Sequence, residues 1–90
     1  MIKEIWIFNG AKGKFASAVF IDLKDAEKWI SENKLSGMIT LYPVNKSVYN
    51  WAIEKEFFSP KNELENSAEF IQKFTSASQE HYRYERGEKQ

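Results

Sequence analysis

The side chains most capable of chemistry in this chain are concentrated in residues 75–84. This segment holds the only histidine, His81, with Ser76 and Ser78 shortly before it. A hydroxyl nucleophile needs a base within hydrogen-bond reach and a third group that orients the base. Ser78 and His81 are three residues apart, which on a strand places them on opposite faces, so only a turn at Gln79 would bring them together. We therefore favour a capping role for the serines. A small enzyme or small-ligand-binding domain built on this segment is the alternative.

The same segment also has a pattern that favours binding. Residues 81–85 alternate as a strand, with the ionisable side chains of His81, Arg83 and Glu85 on one face. Tyr82 and Tyr84 lie on the other face and can pack inward. The ionisable face can then make charge-assisted hydrogen bonds to a partner, and the histidine could make binding sensitive to pH near neutrality. We predict a binding surface formed by this strand together with the serine loop before it.

Two further segments suggest binding hypotheses. Phe57 and Phe58 lie in a charged segment, which predicts either a solvated loop or a recognition loop that presents one of the rings to a partner. Gly10-Ala-Lys-Gly13 could hold a phosphate through backbone N–H groups, but a turn between two strands accounts for both glycines, since either can adopt positive φ. We therefore expect residues 9–14 to form a mobile turn that binds nothing tightly.

Composition narrows the classes of function. The 90 residues correspond to one small domain, and the 13 basic and 13 acidic side chains cancel. This balance argues against nucleic acid or an anionic membrane as the partner, so a nucleic-acid-binding domain is only the second alternative. With no cysteine and one histidine, the chain cannot build a cysteine-based zinc site or a multi-histidine metal site, and no cofactor is predicted. No signal peptide or membrane-spanning run is apparent, which predicts a cytoplasmic protein.

Hydrophobic periodicity predicts the element order β-β-α-β-α-α-β. The predicted strands cover residues 2–8, 15–21, 38–44 and 81–85, and the predicted helices cover residues 23–34, 48–57 and a short stretch after Ser67. Asp22, Ser47 and Ser67 occupy the expected N-cap positions. This order predicts an α+β domain over residues 1–85, with a single sheet of about four mainly antiparallel strands and helices mostly on one face. Residues 86–90 are predicted to be a frayed polar tail.

The apolar residues predict where the core lies. Four consecutive apolar residues, Ile5 to Phe8, are typical of a strand that is covered on both faces. The predicted core consists of the large side chains in strands or on apolar helical stripes: Trp6, Phe20, Trp29, Ile30, Leu41 and Trp51.

Several stretches of the chain, taken in order, also resemble the sequence motifs of a known protein family. These are Trp6-Ile-Phe-Asn-Gly10, Ala26-Glu-Lys-Trp-Ile30, Thr40-Leu-Tyr-Pro43, Val48-Tyr-Asn-Trp-Ala-Ile53 and Phe74-Thr-Ser-Ala-Ser-Gln-Glu-His-Tyr82. With them the chain resembles an uncharacterised family of small bacterial proteins or domains of unknown function. The resemblance implies a bacterial cytoplasmic protein and brings with it no activity and no catalytic residue.

These observations together favour a small cytoplasmic protein-binding module that is not an enzyme. The specific hypothesis is an immunity-type inhibitor that blocks a toxin, with another protein as the partner. Because the charges balance, this partner is not expected to be a very basic nuclease. Oligomeric state is not predicted by the sequence.

Overall fold

The computed structural model describes residues 1–90 and shows a small α+β domain with one antiparallel sheet. The elements are β1 (Glu4–Gly10), β2 (Ala18–Phe20), α1 (Leu23–Glu32), β3 (Gly37–Pro43), α2 (Val48–Glu54), a single 3-10 turn (Leu64–Asn66), α3 (Ala68–Lys73), β4 (His81–Glu85) and β5 (Glu88–Lys89). The strand order across the sheet is β2-β1-β3-β4-β5, and every neighbouring pair is antiparallel. The fold class is as predicted, but the sheet has five strands instead of about four.

The additional strand lies in the segment that was predicted to be a frayed tail. Arg86 and Gly87 both have positive φ, 50° and 86°, which is the geometry of a tight two-residue hairpin turn. The turn brings β5 back along β4, with Tyr84 opposite Lys89. The tail assignment failed because the segment is short and polar, and because an arginine rarely adopts positive φ, so Gly87 was the only turn signal.

One face of the sheet packs on α1 and forms the main core. Ala26 and Ile30 lie one helical turn apart on α1, and both are completely buried. They pack on alternating strand residues that share one face, and the full set of buried core residues is Trp6, Phe8, Ala26, Ile30, Ile39 and Tyr84. We call this set the sheet core. α1 begins after Asp22, as predicted, although the Asp22 side chain makes no capping hydrogen bond.

The predicted core residues are only partly those of the sheet core. Trp6 and Ile30 belong to it, whereas Phe20, Trp29 and Leu41 are half-buried residues packed around it. Trp51 lies outside it, with its ring centroid 5.5 Å from that of Phe57. The assignment of Trp51 was wrong because helical periodicity identifies an apolar face of α2 but not the surface on which that face packs.

A second aromatic cluster is formed by the part of the chain that connects β3 to β4. The Tyr49 ring is buried, and its centroid lies 5.8 Å from Phe58, 6.4 Å from Phe70 and 5.4 Å from Phe74. We call residues 48–74 the excursion and these four rings the excursion cluster. Both helices in it begin at serine caps, as predicted: the Ser47 and Ser67 hydroxyls accept hydrogen bonds from the backbone N–H groups of Asn50 and Phe70. Thus α2 and α3 pack through each other's aromatic side chains.

The molecule is more extended than a compact domain of its length. Its radius of gyration is 14.7 Å, where about 12 Å is typical of 90 residues. Its accessible surface is 6822 Å², against about 5,500 Å² for a typical monomer of this mass. Only nine of the 90 residues are buried. The chain therefore buries less of its surface than a compact domain of its length. None of its helices is long and apolar enough to cross a membrane.

Candidate functional site

The face of the sheet opposite α1 contains no buried side chain. Alternation along the strands places on this face the residues that lie between the core residues in sequence. These residues, which we call the open face, are Ile5, Ile7, Asn9, Val19, Met38, Thr40, Tyr42, His81, Arg83 and Glu85. Two-sided coverage of β1 was predicted from its apolar run, but Ile5 and Ile7 are only half-buried. That prediction failed because the chain supplies a covering helix for one face of the sheet only.

The side chains of the open face change from apolar on β2 and β1 to polar on β4. One cross-strand row runs from Val19 through Ile7 and Thr40 to His81. Val19 is 58% exposed at the apolar end of this row, and His81 is exposed at the other. The neighbouring row ends at Arg83, which is also exposed. The open face thus has an apolar half on β2 and β1 and an ionisable border on β4, as the alternation in residues 81–85 predicted.

His81 is oriented by the backbone that precedes it. Its Nδ1 lies 2.6 Å from the carbonyl oxygen of Gln79. A carbonyl oxygen can only accept, so Nδ1 carries the proton and donates, and Nε2 makes no hydrogen bond within the chain. No serine hydroxyl is bonded to the ring. The Ser76 hydroxyl accepts instead from the Ser78 backbone N–H at 3.2 Å. The nucleophile–base arrangement considered for this segment is therefore not formed, and the serines stabilise the loop.

Gln79 is the residue that sequence reasoning missed. It is only 4% exposed and is the one polar side chain that is buried. Its amide nitrogen donates to the Leu41 carbonyl at 3.1 Å, and its amide oxygen accepts from the Ser76 N–H at 3.4 Å. Gln79 therefore holds the serine loop against β3 and sets the start of β4, which positions His81. Nothing in a polar, serine-rich stretch signalled this burial.

The two tyrosines of β4 face α1, as predicted, and have structural contacts. Tyr84 is 3% exposed, and its hydroxyl donates to the Glu27 carboxylate at 2.5 Å. The Lys89 ammonium lies 3.4 Å from the same carboxylate and 3.8 Å from the centroid of the Tyr82 ring. The Tyr82 hydroxyl donates to Glu80. Tyr84 is thus a buried part of the sheet core, whereas Tyr82, on the same side of the sheet, is half-buried.

The contacts of these tyrosines shift their ionisation in defined directions. Burial, reinforced by the hydrogen bond to Glu27, raises the pKa of Tyr84. The hydrogen bond from Tyr84, with Lys89 nearby, lowers the pKa of the Glu27 carboxyl. The hydrogen bond to Glu80 raises the pKa of Tyr82. Glu27 is therefore the group in this region through which acid would weaken the contact between α1 and β4.

The other candidate binding residues lie away from the open face or inside the excursion. Phe58 is half-buried, with its ring centroid 4.8 Å from that of Phe74. Phe57 is 54% exposed, so it is the only one of the pair that is presented to solvent.

In the glycine turn, the positive φ of 68° belongs to Lys12 and to neither glycine. This part of the turn geometry was not predicted, since lysine seldom adopts it.

Taken together, fold and site define a small α+β domain whose single antiparallel sheet is covered on one face only. The chain belongs to the family described as Domain of unknown function (DUF7710), which it matches over residues 5–90. This membership confirms the resemblance to a family without an assigned function, and the family description names no enzymatic activity. No curated protein and no solved structure gives a significant match to the chain.

Proposed function

We propose that this chain is a protein-binding module and that the open face is its binding surface. The observation that supports this proposal is a sheet face that is apolar on its β2 and β1 half and whose side chains are all at least partly exposed. Contiguous exposed apolar surface with a polar border is typical of protein-interaction sites. On this chain the border is supplied by His81 and Arg83.

The apolar half of the open face would supply the hydrophobic driving force for binding. The run from Ile5 to Phe8 has the composition of a strand covered on both sides, yet only Trp6 and Phe8 are buried. Ile7 lies beside Val19 in the sheet, and Met38, 38% exposed, lies on the strand beyond. A partner that covers this area gains about 25 cal/mol for each Å² of apolar surface removed from water. The sequence of β1 is therefore consistent with a strand that has a partner on its second face.

The ionisable half gives orientation and specificity. Arg83 is exposed on the open face and makes no ion pair within the chain, so its guanidinium can bind a carboxylate in a bidentate manner. The hydrogen bond to the Gln79 carbonyl holds the His81 ring and leaves its Nε2 available to a partner. These groups favour a partner that combines an apolar patch with an acidic group at its edge. An immunity-type inhibitor of a toxin is the specific form of this proposal, and it requires that the captured partner is a toxin.

The experiment is quantitative affinity capture from the organism that produces the chain, comparing the native sequence with matched variants. Met38→Glu and Arg83→Glu alter the open face, whereas Ile71→Glu introduces the same charge at a comparably exposed apolar position on α3. We expect one protein to be depleted at least tenfold by both open-face variants and retained by Ile71→Glu. Circular dichroism confirms that each variant is folded. If every captured protein is retained by Met38→Glu and Arg83→Glu, the open face is not the binding surface.

A further inference from the structure

The two edges of the sheet are protected very differently. The β5 edge carries Glu88 and Lys89, and charged edges resist pairing with other strands. The β2 edge lies in residues 15–21, Phe-Ala-Ser-Ala-Val-Phe-Ile, which contain no charge, no proline and no glycine. Phe15, Val19 and Ile21 in this segment are 82%, 58% and 60% exposed. An unprotected apolar edge of this kind is a template for strand addition.

The backbone of Val19 faces outward at the centre of this edge. On β1, the Phe8 carbonyl accepts from Ser17 at 3.0 Å and thus points toward β2. Backbone N–H and C=O groups alternate in direction along a strand. The backbone groups of both Trp6 and Phe8 therefore point to β2, where the cross-strand partners of these residues are Phe20 and Ala18. Val19 lies between those two partners. Its N–H and C=O therefore point away from β1, where no strand of the chain follows.

We infer that β2 pairs with β2 of a second copy of this chain, forming a two-fold symmetric dimer with one continuous antiparallel sheet. The two-fold axis passes beside Val19, so that its outward N–H and C=O exchange two hydrogen bonds with those of the partner's Val19. In this register Ala18 lies opposite the partner's Phe20, and both side chains are on the α1 side. A methyl group thus faces a ring at each end of the pair, which gives a self-complementary fit.

Three features favour a second copy over an unrelated strand. The segment carries no charge, so pairing with itself brings no like charges together and offers no charge to select another sequence. Trp29, half-buried against Phe20 with ring centroids 5.5 Å apart, lies beside this edge and has surface left for a partner to cover. The accessible surface of 6822 Å² exceeds that of a typical monomer of this mass by about 1,300 Å², more than the roughly 800 Å² that each subunit of a stable dimer buries.

This dimer is independent of the proposed binding role of the open face. A two-fold axis perpendicular to the sheet leaves both open faces on the same side of the continuous sheet. The dimer would thus present two copies of the open face side by side, and a partner could still cover each one. The direction of the Val19 backbone and the uncharged edge favour the dimer, and His81 and Arg83 take no part in it.

The experiment measures the mass of the full chain by light scattering and sedimentation across a wide concentration range. We expect twice the mass of the chain for the native sequence and for Val19→Thr, which keeps the backbone N–H and the branched side-chain shape. Val19→Pro removes the outward N–H without removing a bond to β1 and should give the mass of the single chain. A monomeric native chain overturns the inference. The inference is also wrong if Val19→Thr and Val19→Pro dissociate to the same extent, because the Val19 side chain on the open face, and not its backbone N–H, would then hold the dimer.

A cross-linking measurement tests the same register without proline. The native chain has no cysteine, so a single introduced cysteine reports on one position. Hydrogen-bonded antiparallel pairs have a Cα separation of about 5.5 Å, within the range that a disulfide spans. We expect oxidised Val19→Cys to migrate as a covalent dimer and Met38→Cys, on the open face away from the edge, to remain monomeric. Cross-linking of Met38→Cys with none at Val19→Cys would indicate face-to-face association and overturn the edge pairing.

Discussion

The sheet core and the excursion cluster are both aromatic, but they are held together by different means. The sheet core joins segments far apart in sequence, such as Trp6, Ile39 and Tyr84, through strand ladders and α1. The excursion cluster is assembled from neighbouring segments: Tyr49 and Phe70 lie on helices of seven and six residues, and Phe58 and Phe74 lie beyond the ends of those helices. Isolated helices this short are not stable in water, so the excursion depends on its rings. The difference suggests that the excursion can open while the sheet stays folded.

The sheet core and the excursion cluster also differ in whether their buried hydrogen bonds include a charged group. In the excursion the buried Tyr49 hydroxyl donates to the Glu65 carbonyl at 2.7 Å, a contact between two neutral groups of one segment. In the sheet core the Tyr84 hydroxyl donates to the carboxylate of Glu27 and ties β4 to α1. Only the second contact contains a group whose charge is lost in acid. The two regions should therefore differ in pH response as well as in stability.

The largest expected effect is in the sheet core. Ile39→Ala removes a completely buried side chain at the centre of β3 and should lower the free energy of unfolding by about 2–5 kcal/mol. Denaturant unfolding followed by tryptophan fluorescence measures this loss. Ile71→Ala makes the same chemical change at a position that is 36% exposed on α3 and should cost much less. Equal losses in the two variants would mean that Ile39 does not occupy the centre of the cooperative unit.

A smaller effect is expected from the excursion cluster. Phe74→Ala removes a half-buried ring that contacts the other three rings, and should cost about 2 kcal/mol, less than a fully buried phenylalanine. Amide hydrogen exchange should show faster exchange in α2 and α3, with protection of β1 and β3 unchanged. Loss of protection in β3 to the same extent would show that the two clusters unfold as one unit.

The smallest effect concerns acid. Because the folded-state pKa of Glu27 is lowered, its contribution to stability is present above the ordinary carboxyl pKa and is lost as pH falls through the lowered value. Tyr84→Phe removes the donor that causes most of this shift, so the stability difference between Tyr84→Phe and the native chain should shrink as the solution is acidified through that range. Tyr49→Phe, the matched loss of one hydroxyl in the excursion, should show a difference that is independent of pH. Thermal midpoints measured from neutral to acidic pH test both; a constant difference for Tyr84→Phe would remove Glu27 as its cause.

Features set by neighbouring residues were predictable from the sequence. The bounds of β4 and the separation of His81 and Arg83 from Tyr82 and Tyr84 follow from period-two alternation within five residues. The caps at Ser47 and Ser67 follow from a hydroxyl that reaches a backbone N–H three residues ahead. Such signals are complete within one turn of helix or one short strand, so no distant part of the chain is needed to read them.

What the tertiary structure decided involves segments that meet only after folding. The burial of Gln79 depends on the Leu41 carbonyl 38 residues away, and the position of Trp51 outside the sheet core depends on where α2 packs. The order of strands likewise made β2 an edge and left Ile7 on a face that no helix covers. Hydrophobic periodicity shows which side of an element is apolar but not which partner covers it. The sequence thus determined the local elements and their apolar sides, and only their packing decided which of those sides remain open.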